Sequence, residues 1–341
     1  MTNRQTSFTF TSLALASLLA ACGGGGGDDT TPTITVPTGA RVVAASAGSS
    51  LTSDNYAGLS APLVRAVASA TSSSDLVGGA SASREQAAAA AGGANVAVSP
   101  ALLTRLASRL IGAAPLRVQA QATESGSLPC LSGSGTVFAD DADNNGQLSA
   151  GDVVSFTGNA CVLAQGLPAI SGTFSMQMEA VVLVGADTPS AFQVLVSTTS
   201  FGAGGYGTMS GQSRLWATGL EGSNPVMRIS HLSTVVTQAG ISVPYLLDVY
   251  ASISGGVSSY EVSGGLTVNG QTYAVERVNA FVNTPPTVGA VRMLDVAGNS
   301  ATLTAHTNGT SFTMQYALTG TTGAGQPSFI GLWSSYSSNA F

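Results

Sequence analysis

The sequence contains no lysine, and its few charges are mostly acidic. All 11 basic residues are arginines, whereas 17 residues are Asp or Glu, and only 8% of residues are charged. Without lysine, the chain cannot form a lysine Schiff base or supply the lysine of a phosphate-binding P-loop. The formal charge of −6 also argues against nucleic acid as a partner and against electrostatic docking on anionic lipid.

Histidine is almost as scarce, which leaves few groups for acid–base catalysis. His231 and His306 both lie in segments that alternate like strands, and the chain has no G-x-S-x-G motif. Two carboxylates can converge from anywhere in a fold, but no pair stands out here. The segment GAGGYG at 202–207 matches a dinucleotide fingerprint, yet a strand pattern rather than a helix follows it, which favours a glycine hairpin. We therefore predict that the protein is not an enzyme.

An uncharged apolar run from Phe8 to Ala21 follows a single basic residue, Arg4, at the N-terminus. The run is too short to span a bilayer and is typical of an export signal, so residues 1–21 are predicted to be a signal peptide. Residues 22–40 consist mainly of Gly, Asp, Thr and Pro without apolar periodicity. They are predicted to be a flexible tether with a reach of roughly 25 Å.

The residues Leu19-Ala20-Ala21-Cys22 resemble the lipobox of bacterial lipoproteins. In that family the cysteine is acylated and the peptide before it is removed. The resemblance implies that Cys22 is the lipid-bearing N-terminus and that a membrane is its partner through this lipid. Because Gly23 rather than Asp follows, it also implies sorting to the cell outer membrane. The alternative is a soluble export signal followed by a chance cysteine.

Only two cysteines, Cys130 and Cys161, follow Cys22 in the chain. An exported protein folds in an oxidising compartment, so we predict a disulfide between Cys130 and Cys161. The alternative is a pair of thiolates that binds a metal or performs redox chemistry. That alternative lacks C-x-x-C spacing and a nearby histidine.

Residues 41–125 are rich in alanine and have helical periodicity. One predicted helix runs from about Ser53 to Ala70, and a second covers SPALLTRLASRLIG at 99–112. In the second helix Ser99 suits the N-cap position and Gly112 the C-terminal cap. We expect the apolar stripes of this pair of helices to pack on a sheet; the alternative is contact with a membrane or a partner.

Residues 126–341 change to a period of two. Phe174, Met176 and Met178 alternate with polar residues, and similar runs recur to the C-terminus with short Gly, Asn and Pro turns between them. About a dozen strands joined by hairpins are typical of an antiparallel meander. The predicted fold is thus mainly β, a large antiparallel meander that forms either a curved sheet or a barrel, with the N-terminal pair of helices packed on it.

The segment DDADNNGQLSAGD, from Asp140 to Asp152, concentrates four carboxylates in a chain with few charges. Its spacing fits the twelve-residue calcium loop D-x-[DN]-x-[DN]-G. The flanking residues have strand rather than helix character, so a strand-flanked variant of this loop is predicted. The alternative is a solvated Asp/Asn turn without an ion. The predicted ligands of a structural calcium ion are Asp141, Asp143, Asn145, the backbone carbonyl of Gln147, and Asp152.

The segment from Cys130 to Cys161 also resembles a module of uncharacterised proteobacterial outer-membrane lipoproteins. That module reads Cys, strand, D-x-D-x-x-G-x-L-S-x-G-D, strand, Cys. Those proteins have an N-terminal helical region and end in a P-x-x-G strand and a terminal Trp, which Pro286 to Gly289 and Trp333 match. The resemblance carries no function with it.

Three functions are compatible with these features. The first is a lipid-anchored, non-enzymatic envelope protein, in which a structural or binding β domain contains a calcium loop. The second is a periplasmic carrier of an apolar ligand, such as a lipid, in a cavity enclosed by the sheet and helices. The third and weakest is a hydrolase, which needs histidines or carboxylates that converge in a cleft. The sequence does not identify a protein partner or an apolar ligand.

Overall fold

Segments of alternating apolar and polar residues form β-strands, and these strands contain more than half of the residues that the structure describes. A computed structural model describes residues 32–71, 124–163, 169–184, 188–203, 208–236, 242–283 and 285–337, with five further residues between 103 and 111. Pro32–Phe341 form one compact unit. The described strands are β1 Glu124–Leu128, β2 Ser132–Asp140, β3 Val153–Val162, β4 Ile170–Val184, β5 Thr188–Ala203, β6 Thr208–Thr218, β7 Val226–Val236, β8 Ser242–Ser254, β9 Val257–Val268, β10 Gln271–Val282, β11 Val288–Leu294, β12 Ser300–Ala305, β13 Ser311–Ala317 and β14 Ser328–Leu332.

The fourteen strands form one antiparallel sheet in which each strand pairs with the next along the chain. The predicted antiparallel meander is therefore confirmed. Between the described strands there is no pairing of β1 with β14, so the sheet is not closed. The sequence left open a curved sheet or a closed barrel, and the described strands do not form a closed barrel.

One face of the sheet supplies the core. In β4, Phe174, Met176 and Met178 are buried and alternate with less buried polar residues, as their spacing predicts. Inward-facing residues of β2 to β13 belong to the same buried cluster, in which Phe156 and Phe192 are also inaccessible to solvent. The alternation places polar residues on the opposite, outer face.

The first predicted helix is confirmed as α1, Tyr56–Thr71. Thr52 and Asn55 exchange backbone-to-side-chain hydrogen bonds of 2.8 and 3.2 Å, which cap the first turn. Leu63, Val64 and Val67 are buried on its inner face, and α1 contacts β9, β12 and the short helix α2, Ser334–Ser337. The described helices include none with the length and hydrophobicity needed to cross a membrane.

Only part of the second predicted helix, 99–112, lies among the described residues. Its five described residues are helical and are buried in the same apolar cluster as α1 and the sheet. These five residues are Leu103, Leu106, Ala107, Leu110 and Ile111. The rest of this predicted helix, the predicted signal peptide 1–21 and Cys22 lie outside the described residues.

An extended N-terminal segment packs on the outer face of β7 to β9. Val42 forms a parallel bridge with Gly264, and the Arg41 N–H donates to Ser263 Oγ at 3.0 Å. A Cβ atom on Gly265 would lie 2.6 Å from Val43 Cγ1, so only glycine admits this contact. Residues 32–40 of the predicted tether 22–40 are described. They belong to this N-terminal segment, in which the side chain of Val36 is buried.

The predicted Cys130–Cys161 disulfide is confirmed, and it joins the residues beside β2 to the end of β3. The two cysteines are 31 residues apart in sequence. Gly135 lies directly beneath this bridge, because an added Cβ would lie 3.2 Å from both sulfur atoms. The bridge therefore closes the β2–β3 hairpin at its open end.

We expect the double variant Cys130→Ser, Cys161→Ser to lose about 3 to 4 kcal/mol of unfolding free energy, because the unfolded chain regains the entropy of an open loop of this length. Guanidinium unfolding monitored by circular dichroism measures the loss. Wild-type protein treated with reductant is the matched control and should show the same shift. Equal unfolding midpoints for the variant and the oxidised wild type would contradict the prediction.

Candidate metal centre

The β2–β3 hairpin positions the acidic segment predicted to bind calcium. Asp140 pairs with Val153 at the end of the ladder, so residues 141–152 form the loop that connects the two strands. Asn144 and Gly146 have positive φ values of 56° and 71°, a region that Asn and Gly adopt more readily than other residues. These two residues let the loop turn tightly enough to bring its two ends together.

Three carboxylates converge inside this loop. Asp141, Asp143 and Asp152 each offer an oxygen, and these oxygens lie within 4.8 Å of one another. Asp141 accepts hydrogen bonds from the N–H groups of Gly146 at 2.7 Å and Asn145 at 3.2 Å. The structure thus forms a possible metal-binding acidic triad from three of the five residues that the sequence singled out.

Asp152 is the buried member of the triad. Its side chain accepts hydrogen bonds from the N–H groups of Ala142 at 2.9 Å and Ser149 at 2.6 Å. Its backbone is tied to β4, since the Met178 N–H donates to the Asp152 carbonyl at 2.8 Å. Leu148 is buried in the main core. The loop is therefore anchored to the sheet by an apolar side chain and by the residue that carries a buried carboxylate.

The other two predicted ligands have different contacts. The Asn145 side-chain amide donates to Asp143 Oδ2 at 2.7 Å, and Asn145 Oδ1 accepts from the Gln147 N–H at 2.6 Å. The Ser149 hydroxyl, at the ninth position of the loop, contacts Asp143 Oδ2 at 3.1 Å and Asp152 Oδ2 at 3.3 Å. Asn145 and Ser149 therefore line the triad, whereas the Gln147 contact seen here uses its N–H rather than its carbonyl.

The electrostatics of the triad favour a cation. Across the described part of the chain, no arginine forms an ion pair with Asp141, Asp143 or Asp152. Two carboxylates about 5 Å apart repel by about 3 kcal/mol at an effective dielectric constant near 20. Burial raises the pKa of Asp141, but hydrogen bonds from the backbone N–H groups of Gly146, Asn145 and Asn144 outweigh it, so the net shift of the pKa is downward. The Asp141 carboxylate is therefore ionised at neutral pH.

Among the described residues, the others that the sequence singled out form no second site. His306 contacts the hydroxyls of Ser311 at 2.9 Å and Thr313 at 2.7 Å, and no carboxylate is among its described partners. The side chain of His231 lies outside the described residues. The GAGGYG segment at 202–207 connects two antiparallel strands, because β5 ends before residue 204 and β6 begins after residue 207. This arrangement is the one expected for a hairpin.

A charged cluster on the outer face was not predicted from the sequence. Asp248 is buried, pairs with Arg228, and lies 3.6 Å from Arg41 of the N-terminal segment. The Arg228 guanidinium also lies 6.0 Å above the Trp216 ring and donates to the Pro37 carbonyl at 2.9 Å. Each charge belongs to a different element, so sequence spacing carries no signal that they meet.

Comparison of the chain with models of protein families, with curated proteins and with solved structures finds no match in any of the three.

We expect the triad to bind a divalent cation saturably. The double variant Asp141→Asn, Asp143→Asn removes two of the three negative charges with little change in size, and should abolish binding. Isothermal titration calorimetry, or terbium luminescence with competition by the metal, measures it.

The matched control is Asp140→Asn, which removes a neighbouring carboxylate that lies outside the triad and should leave binding unchanged. Equal binding by the wild type and the double variant would contradict the assignment of these two residues as ligands.

Proposed function

We propose that the protein is a lipid-anchored envelope protein without enzymatic activity, in which the β domain has a structural or binding role and contains a structural calcium ion. The convergence of Asp141, Asp143 and Asp152 in a loop anchored to the sheet carries the calcium part of this proposal. The lipobox-like residues Leu19 to Cys22 support the part of the proposal that concerns lipid anchoring.

Calcium suits the donors that this loop offers. Carboxylate, amide and hydroxyl oxygens are hard ligands that calcium prefers, whereas zinc and copper favour imidazole and thiolate. Asp141, Asp143 and Asp152 supply charged oxygens, while Asn145 and Ser149, which hydrogen-bond to Asp143, place neutral amide and hydroxyl groups beside them. Calcium also accepts irregular coordination more readily than magnesium, which requires near-octahedral geometry.

A structural role for the ion follows from where the loop lies. The disulfide closes one end of the β2–β3 hairpin and the acidic loop closes the other. Over the nine residues of β2, the two ends are separated by roughly 30 Å. An ion at Asp141, Asp143 and Asp152 would neutralise carboxylates that otherwise repel one another, and so hold the second end of the hairpin closed.

The packing of the apolar face supports a filled interior over a carrier of apolar ligands. Phe156, Phe174, Met176 and Phe192 have no surface accessible to a water-sized sphere. A cavity large enough for a lipid would leave accessible surface on the side chains that line it. These four side chains therefore line no such cavity.

The disulfide and the N-terminus support export and anchoring. A disulfide between Cys130 and Cys161 is typical of proteins that fold in an oxidising compartment. The lipobox-like Leu19 to Cys22, which follows a signal-peptide core, supports acylation of Cys22 by a lipid such as palmitate. We assign the anchored protein to the outer membrane because Gly23 follows the cysteine.

We expect calcium to stabilise the wild type by about 2.7 kcal/mol when its free concentration is 100 times its dissociation constant, because it binds the folded state alone. Thermal or chemical unfolding with calcium and with chelator measures this difference. Asp140→Asn should retain the stabilisation and the Asp141→Asn, Asp143→Asn variant should lose it. A calcium-dependent gain that is the same in all three proteins would count against a structural ion in this loop.

For the anchor, we expect Cys22→Ala to release the protein from the membrane fraction and to abolish incorporation of labelled palmitate in vivo. Cys130→Ala is the matched control, since it removes a cysteine from the disulfide and should leave both readouts unchanged. A membrane-bound Cys22→Ala protein would contradict lipid anchoring through this residue.

A further inference from the structure

Strand β14 forms one edge of the open sheet, and its hydrogen bonds show which backbone groups face outward. The Trp333 N–H donates to the Thr310 carbonyl, and the Tyr316 N–H donates to the Pro327 carbonyl, both at 3.0 Å. The register between β13 and β14 has no shift, so every second residue between these bonds faces β13. The residues with N–H and C=O groups that point away from the sheet are Ser328, Ile330 and Leu332.

These outward groups lack partners within the described parts of the chain. Ile330 and Leu332 are also exposed residues, with 71% and 52% of their surface accessible to solvent. The inner face of this edge is occupied, because Phe329, Trp333 and Tyr336 each pack within 6.2 Å of the Phe312 ring. Ile330 and Leu332 thus combine exposed apolar side chains on the outer face with unpaired backbone groups at the edge of the sheet.

Such an edge is usually protected, and β14, among the described residues, has no charge, proline or bulge that would protect it. Proteins guard exposed edge strands with charges, prolines, bulges or a covering element, because unpaired edges template the addition of another strand. The sequence of β14, Ser-Phe-Ile-Gly-Leu, contains neither a charge nor a proline, and the strand has no bulge. At the opposite edge, β1 begins with the charged Glu124.

We propose that β14 is a self-association surface that pairs antiparallel with β14 of a second copy of this chain. Only an extended strand presents donors and acceptors at the spacing that Ser328, Ile330 and Leu332 require. The two sheets would join into one continuous sheet across this pair.

The second copy fits because the strand is self-complementary about a two-fold axis at Ile330. In that register Ile330 lies opposite its own equivalent, and Ser328 lies opposite Leu332 of the other copy. Directly opposite and diagonal residues on one face of such a pair are within side-chain contact. The Ile330 and Leu332 side chains of both copies therefore form one apolar cluster, and no like charges meet across the axis.

The mass of the full chain in solution, from light scattering across a concentration series in mild detergent, tests this surface. The wild type should dimerise. Ile330→Pro removes an outward N–H without touching a bond to β13, and should weaken dimerisation at least about tenfold, since two hydrogen bonds are lost per dimer. Ile330→Glu should also yield monomer, because two carboxylates would then face each other across the axis.

The matched control is Thr313→Glu, which places the same charge on the same outer face but one strand in from the edge. This variant should remain dimeric. Circular dichroism melts of all four proteins distinguish a lost interface from a lost fold. A monomeric wild type at every concentration, or dimerisation of the folded Ile330 variants equal to that of wild type, would overturn the proposal.

Oxidative cross-linking tests the register independently of stability. Ile330→Cys places two thiols at directly opposite positions, within the Cα separation of about 4.4 to 6.8 Å that a disulfide needs. Thr313→Cys places them three strand spacings apart, roughly 14 Å, which is too far. We expect a cross-linked dimer for Ile330→Cys alone. Equal cross-linking by both variants, or by neither, contradicts the two-fold pairing.

Discussion

The apolar face of the antiparallel sheet must be kept from water, and most of the structure serves that requirement. Strands β2 to β13 each direct alternate side chains to the same face, where they join one buried cluster. Helix α1 and the five described helical residues of the range 103–111 contribute their apolar side chains to it. At the C-terminal end, Trp333 packs against both Phe281 and Phe312, which come from non-adjacent strands. These additions cover a surface that the open sheet cannot bury by closing on itself.

The outer face follows a different principle, in which scarce charges are paired across strands. Arg214 with Glu179 and Arg292 with Glu276 form exposed pairs, which contribute little to stability. The pair of Arg228 with Asp248 is different, because the N-terminal segment covers it and both side chains lose most of their hydration. Removing one partner of such a pair is strongly destabilising, since the other charge stays buried. The cluster therefore ties the position of the N-terminal segment to the sheet.

Local patterns predicted the strands, α1 and the acidic loop, because each is encoded by nearby residues, whereas the disulfide followed from the presence of only two cysteines after Cys22. The alternation of Phe174, Met176 and Met178 identifies a half-buried strand without knowledge of its neighbours. Whether the sheet closes depends on the twist and length of all fourteen strands together, which no segment encodes. The contact between Arg41 and Asp248 joins residues 207 positions apart (248 − 41), so the local sequence could not predict it either. In the loop, spacing indicated the triad, but it did not reveal that Asn145 and Gln147 hydrogen-bond to each other.

The β2–β3 hairpin has a consequence for how the chain responds to damage. Its strands are joined covalently at both ends, by the 141–152 loop and by the Cys130–Cys161 bridge, so the peptide between the two cysteines is a ring. A protease that cuts the exposed side of the loop opens this ring without releasing a fragment. The two strands also cannot slip past each other by one residue, a shift that would turn Phe156 from the core to the surface. Even a nicked molecule would therefore keep its strands in register.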